Sequence, residues 1–228
     1  MGKFNLKSLQ ERTLSAVVMI PVVLLAVVWG GWPFFAMVTI LAAISLHEWF
    51  SMARKTDNFA LYAALGAAYV IIGFVCCALI REDYSFMAAV MFLIMVWAAD
   101  IGAYFSGKFI GGAKLAPSIS PNKTWAGLAG ACDIAGIAGV ITFALNAAYS
   151  PEATFGLMPA IMVFVLGLLI GLVGQGGDLL VSMMKRKTGV KDTGSLIPGH
   201  GGLLDRVDGM LLAAPAFYIA FSVFSIDL

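Results

Sequence analysis

The stretch SMMKRKTGVKDTGSLIPGHGGLLDRVDG, residues 182–209, holds eight Asp, Lys and Arg residues, a histidine and six glycines. It lies between two long apolar runs. Across its start, Asp178, Ser182 and Lys185 are spaced i, i+4 and i+7, which puts an acid, a hydroxyl and a cation on one face of a helix that runs past residue 177. At its end, Asp205 and Asp208 are spaced i, i+3 and are also helical neighbours. Carboxylates that converge without a His or Cys cluster suit a hard cation such as Mg²⁺, which takes oxygen ligands and shares its shell with substrate phosphates. Lys185, Arg186, Lys191 and Arg206 supply the complementary charge for phosphate oxygens, and Gly199, Gly201 and Gly202 let the backbone approach a ligand closely. A second polar stretch, KLAPSISPNKTWAG (residues 114–127), carries Lys123 and Thr124 immediately before an apolar run. Ser120 or Asn122 is placed to cap the helix that follows, whose N-terminal amides would face an anion beside Lys123. Acids for a metal and bases for phosphate, interleaved in this way, describe phosphoryl or nucleotidyl transfer.

The elements that must position these residues are membrane helices. The chain of 228 residues is 61% apolar and only 12% charged, with a mean hydropathy of +0.95. An ordinary soluble domain carries about twice that share of charge. A helix needs about 20 apolar residues to cross a bilayer core. Seven stretches qualify, at about 14–30, 34–52, 59–80, 85–106, 125–149, 158–177 and 205–226, and predict an all-α polytopic bundle forming one domain over residues 1–228. The N-terminal apolar run is preceded by basic residues but is followed by no small-x-small cleavage site, so it reads as a retained first span. If the N-terminus is cytoplasmic, 13 of the 14 basic residues fall on the cytoplasmic side and Arg81 alone lies opposite, as the positive-inside rule requires. Trp29, Trp32, Trp49 and Trp125 fall near span ends, the interfacial position for such rings. Cys76, Cys77 and Cys132 lie within apolar runs, without metal-binding spacing, and read as core residues.

The acids are expected at one depth. Asp100 and Asp133 lie roughly 9–12 Å inside the cytoplasmic ends of their spans, and Asp178, Asp205 and Asp208 lie at that same side. Charged residues inside a membrane are costly and should face a wet or charged interior, so the five predict a polar cavity open to the cytoplasm. His47 and Glu48 read as interfacial. An ion-coupled transporter would instead distribute its acids across the membrane.

The polar positions of residues 182–208 closely resemble the signature of the phosphatidate cytidylyltransferases, the CDP-diacylglycerol synthases. The matching positions are Ser182, Lys185–Arg186, Lys191–Asp192, His200–Gly201–Gly202 and Asp205–Arg206–Asp208. WAADIGAYFSGKFIG and SISPNKTWAG also resemble conserved blocks of that family. The resemblance implies transfer of the cytidylyl group of CTP to phosphatidate, giving CDP-diacylglycerol and pyrophosphate, at a bacterial inner membrane. It implies Mg²⁺ on Asp178, Asp205 and Asp208, with phosphates clamped by Lys185, Arg186, Lys191 and Arg206. Ser120, Lys123, Thr124, Ser182, Asp192, Gly201 and Gly202 are the further substrate-binding positions, and His200 is a positioning residue. Val181 and Ala126 stand where the family often carries Glu, which bears on a second cation. A CTP-dependent lipid kinase is the nearest alternative chemistry. The expected partners are CTP and a membrane lipid, and no nucleic acid. Gly167 and Gly171, at GxxxG spacing, permit close helix packing within the bundle or between two copies in a homodimer.

Overall fold

Apolar runs of this length become helices because a backbone surrounded by hydrocarbon must satisfy its own hydrogen bonds. The structure, a computed structural model, describes residues 6–149, 156–196, 201–224 and 226, and only the backbone of residues 6–16 and 18. The helices are α1 (Leu6–Trp29), α2 (Gly31–Ala53), α3 (Phe59–Leu79), α4 (Phe86–Phe109), α5 (Trp125–Tyr149), α6 (Leu157–Lys187) and α7 (Leu204–Phe224). Six of them, α2 to α7, are long and apolar enough to cross a membrane; α1 contributes a shorter apolar stretch, Met19–Trp29. The all-α bundle expected from composition is therefore present, with helices at all seven predicted spans. A single π-helical turn (Ile80–Tyr84) joins α3 to α4.

Two local features differ from expectation. Residues 107–124 are not irregular throughout: β1 (Lys114–Ala116) and β2 (Ser120–Thr124) pair antiparallel around a tight turn closed by Ile119 N–H donating to the Ala116 carbonyl. The helix after it begins at Trp125, so neither Ser120 nor Asn122 caps it. Thr124 does, its Oγ1 accepting from Gly127 N at 3.0 Å. In addition, Trp29, Trp32 and Trp125 are exposed as expected of interfacial rings, but Trp49 is only 3% exposed. Its Nε1 donates to the Tyr62 carbonyl at 2.8 Å, and its ring lies where a side chain at Gly66 would otherwise stand. A position near a span end does not separate a lipid-facing ring from one turned into the bundle.

Small residues let α4, α5 and α6 approach closely. A methyl group at Gly102 would come within 2.2 Å of the Gly130 carbonyl oxygen, and one at Gly167 within 2.4 Å of Gly136 Cα. Gly171 abuts the backbone of Ala131 and Cys132 in the same way. Gly167 and Gly171 thus serve the α5–α6 contact inside the bundle. Gly167→Val forces backbone against backbone and is expected to destabilise the fold by about 1–3 kcal/mol, read as a lowered thermal midpoint of the detergent-solubilised protein.

The helices differ in level. Tyr218 donates to Asp83 Oδ2 at 2.6 Å, and its carbonyl accepts from the Tyr84 hydroxyl at 2.7 Å, which sets Tyr218 beside the α3–α4 turn. Leu204 is fourteen residues earlier, or about 21 Å along the axis. At the α6–α7 crossing Gly177 meets the Asp208 carbonyl. Past that point α6 continues ten residues to Lys187, whereas α7 reaches back only four to Leu204. The first turn of α7 therefore starts recessed beneath the end of α6.

Candidate functional site

The site assembles where the start of α5, the last third of α6 and the first turn of α7 meet, with α2 and α3 behind them. α6 does run past residue 177, and its polar face is the expected one. Ser182 Oγ donates to Asp178 Oδ1 at 3.1 Å. Lys123, at the end of β2, reaches across to Asp178 Oδ2 at 2.6 Å and to Gln175 Oε1 at 2.8 Å. The Asp178 side chain keeps 38% of its surface exposed. Asp208, on α7, has Asp178 and Asp100 among its principal electrostatic neighbours; Asp100 in turn has Asp178, Lys123 and Arg206. Asp208 Oδ1 accepts from Gly209 N at 2.8 Å, while the Tyr69 hydroxyl donates to its carbonyl. Three acids from α4, α6 and α7 thus lie within electrostatic reach of one another, and Lys123 pairs with one of them. Asp133 is not among these neighbours and stands exposed on α5, so the five acids expected to share one cavity do not all do so.

Asp205 belongs to a second constellation. Lys185 Nζ lies 2.6 Å from its Oδ1, with only 5% of the Asp205 side chain exposed. Its Oδ2 accepts from Thr193 N at 2.8 Å and Gly202 N at 3.1 Å. The Thr193 hydroxyl lies between Asp205 Oδ2 (3.1 Å) and Glu48 Oε2 (2.8 Å). Glu48, near the end of α2 and 5% exposed, also accepts from Leu203 N and Leu204 N at 2.9 Å each. Those amides belong to the start of α7, where intrahelical acceptors run out. Glu48 is therefore a remote cap on the helix that carries Asp205 and Asp208, and not the interfacial residue its position suggested. The glycines make this possible: a Cβ at Gly202 would fall 2.4 Å from Glu48 Oε2, and Gly201 has φ +86° beside Asp205 and Asp192.

The remaining predicted positions divide. Ser120 and Thr124 shape the hairpin and the α5 start. Arg186 Nε donates to the Ile119 carbonyl at 3.1 Å and so ties the end of α6 to the hairpin turn. Lys191 and Asp192 are exposed on the connection between α6 and α7, and Arg206 is exposed on the first turn of α7. His200 lies outside the described residues. Local spacing gave no sign of Glu48, Tyr69, Gln175 or Thr193 as site residues, because each is joined to the site by a contact distant in sequence.

Among the described residues no three His, Cys, Asp or Glu side chains converge as a ready-made metal cage. Mg²⁺ does not need one; it commonly takes one or two carboxylates and completes its shell with water and substrate phosphates. Asp178 and Asp208, on helices in contact and with Asp178 open to solvent, fit that role. Asp205 is already engaged by Lys185 and two amides.

Lys185→Met would leave the Asp205 carboxylate buried without its cation, a loss of about 3–5 kcal/mol for a buried pair broken on one side. The expected results are a lower thermal midpoint and faster amide exchange at Thr193 and Gly202.

Comparison with known proteins identifies relatives of the chain. A family model described as the cytidylyltransferase family matches residues 10–62 and 54–224. A protein of Rickettsia bellii named phosphatidate cytidylyltransferase is 35% identical over 213 residues, covering 92% of this chain and 90% of that one. A Rickettsia felis protein of the same name is 33% identical over 91% of this chain and 89% of its own length. A Brucella suis protein, again so named, is 42% identical over 166 residues, 72% of this chain but 58% of the relative. The family-model match reaches all seven helices and both polar connections, and the chain belongs to the cytidylyltransferase family.

Proposed function

We propose that this protein transfers the cytidylyl group of CTP to phosphatidate, giving CDP-diacylglycerol and pyrophosphate, at a Mg²⁺-dependent site that opens to the cytoplasm. The observation that carries this reading is the pairing of Lys123 with Asp178 and of Lys185 with Asp205, which ties the end of β2, the last turns of α6 and the first turn of α7 to one another. Those segments contain the residues that resemble the family signature.

In the reaction, an oxygen of the lipid phosphate attacks the α-phosphorus of CTP. The bond from that phosphorus to the β-phosphate oxygen breaks, and pyrophosphate departs. The lipid phosphate is already ionised near neutral pH, so no side chain has to remove a proton. The work of the protein is placement and charge. Lys185 is held by Asp205 on one side, and its ammonium has three donors, which leaves N–H groups for phosphate oxygens; Lys123, met by Asp178 and by the side chain and carbonyl of Gln175, contributes its charge. Arg206 adds a planar, permanently charged guanidinium for the same oxygens. When bound at Asp178 and Asp208, Mg²⁺ supplies neutralisation of the charge developing on the leaving group.

The positive-inside bias supports a cytoplasmic N-terminus. Antiparallel neighbours then bring the end of α2, the start of α5, the end of α6 and the start of α7 to that same side, where CTP is available. In a bacterial cell this reading corresponds to the inner membrane. The test is pyrophosphate release by the purified protein with CTP, phosphatidate and Mg²⁺, compared with reactions lacking each one. Release that requires all three is expected; no release with all three present would refute the proposal.

A further inference from the structure

Leu203, just before α7, and Arg206, Val207 and Met210 on it are spaced i, i+3, i+4 and i+7 and lie along one side of the helix. That face lines a partly open cavity of about 300 Å³ together with residues of α1, α2, α3 and α4. Asp205 and Asp208 project from the same turn toward the constellations described above. One helical turn thus separates the acidic site from this chamber. Arg206 is the sole charged residue in the cavity wall; the rest is apolar, with residues such as Phe34, Phe74 and Phe92, apart from Cys77 and the ring of Trp97.

We infer that this cavity binds one acyl chain of the lipid substrate and sets which chain lengths are accepted, with Arg206 at the junction of chain and phosphate. The inference rests on the proposed reaction with a lipid phosphate. Three observations favour this occupant. A soluble metabolite would have its polar groups desolvated here with no partners beyond Arg206, whereas hydrocarbon loses nothing by being enclosed. The first turn of α7 lies about 21 Å from the level of the α3–α4 turn, so the chamber sits within the span of a bilayer core of roughly 30 Å. The walls also run along the direction of an acyl chain. Lining residues run from Met19 to Val27 on α1 and from Ala89 to Trp97 on α4, or about 12 Å on each helix, close to one leaflet's half of that core. At the far end Arg81 Nε donates to the Val27 carbonyl at 2.8 Å, which pins the end of α1 to the turn after α3.

The experiment uses the whole protein in nanodiscs and a phosphatidate with a photoreactive diazirine near the end of one acyl chain. Adducts are expected at cavity residues such as Met37 and Phe92, and unlabelled phosphatidate should compete for them. Labelling confined to outward-facing residues such as Ile40, Ile72 or Ile101, without competition, would overturn the inference. Binding is read here without turnover, so this result stands apart from whether cytidylyl transfer occurs. Ala89→Phe, which fills the end far from Arg206, provides the second arm. Relative to wild type, its ratio of kcat/KM for dioleoyl over dioctanoyl phosphatidate should fall by at least roughly tenfold, with the KM for CTP unchanged. An unchanged ratio in an active variant would overturn the inference. Should that variant fail to fold, the labelling of the wild-type protein decides alone.

Discussion

Asp178→Asn is expected to lower kcat by at least about a hundredfold while the protein remains folded. The removal of one well-placed electrostatic group from a transition state commonly costs that much or more, and Asp178 has three tasks. It anchors Lys123 at 2.6 Å, accepts the Ser182 hydroxyl at 3.1 Å, and faces Asp208 across the α6–α7 crossing. The asparagine keeps the shape and one acceptor but lacks the charge that orients Lys123 and attracts a cation. The Asp178 side chain is partly exposed, so loss of its charge does not leave a deeply buried defect, and folding should survive. Ser182→Ala, which removes only a neutral donor to the same carboxylate, should cost no more than a few-fold. Lys123→Met should act like Asp178→Asn, and the double substitution should cost much less than the product of the two, as for residues that act as a unit. Steady-state rates at saturating CTP, with gel filtration as the folding control, measure all of this. Full additivity would show that the two residues work separately.

Glu48→Ala is expected to destabilise the polar part of the molecule strongly. It removes the acceptor of Leu203 N, Leu204 N and the Thr193 hydroxyl, all in a buried space that glycines at 194 and 202 keep too tight for another side chain. Each hydrogen bond to a charged group is worth about 1.5–3 kcal/mol, so a net loss of about 3 kcal/mol or more is expected. At this chain length that lowers the thermal midpoint by about 6–12 °C. Glu48→Gln, which retains one acceptor oxygen, should fall between alanine and wild type. Because the first turn of α7 carries Asp205 and Asp208, both variants should also lose activity, measured below the midpoint of the variant, and amide exchange should quicken at Leu203 and Leu204. A Glu48→Ala protein with the wild-type midpoint would show that α7 needs no cap from α2.

Much of the architecture could be read before any coordinates, for physical reasons that also explain what could not. A helix in hydrocarbon needs a long apolar run, and such runs are visible one residue at a time, so all seven helices fall where the hydropathy places them. The polar face of α6 was also legible, since Asp178, Ser182 and Lys185 are related by helical spacing alone. Glu48 was not. It meets Thr193 and Leu203 across some 150 residues of chain, and nothing in the residues around it distinguishes a buried cap from an acid at a membrane surface. Trp49 presents the same ambiguity, and its neighbours Tyr62, Gly66 and Tyr69 on α3 resolve it. The split of the acids into two constellations, and the exposure of Asp133, likewise depend on how helices rotate about their axes. Depth along a span is legible in the sequence, but the direction an acid faces is set by packing.

Label transfer from CTP tests the central claim most directly. The purified protein is given Mg²⁺, phosphatidate and CTP labelled either on the α-phosphate or on the γ-phosphate. Cytidylyl transfer predicts that the α label moves into the lipid fraction and the γ label into pyrophosphate, in equal amounts. Appearance of the γ label in lipid, with CDP left behind, would mean terminal phosphoryl transfer and would contradict the account.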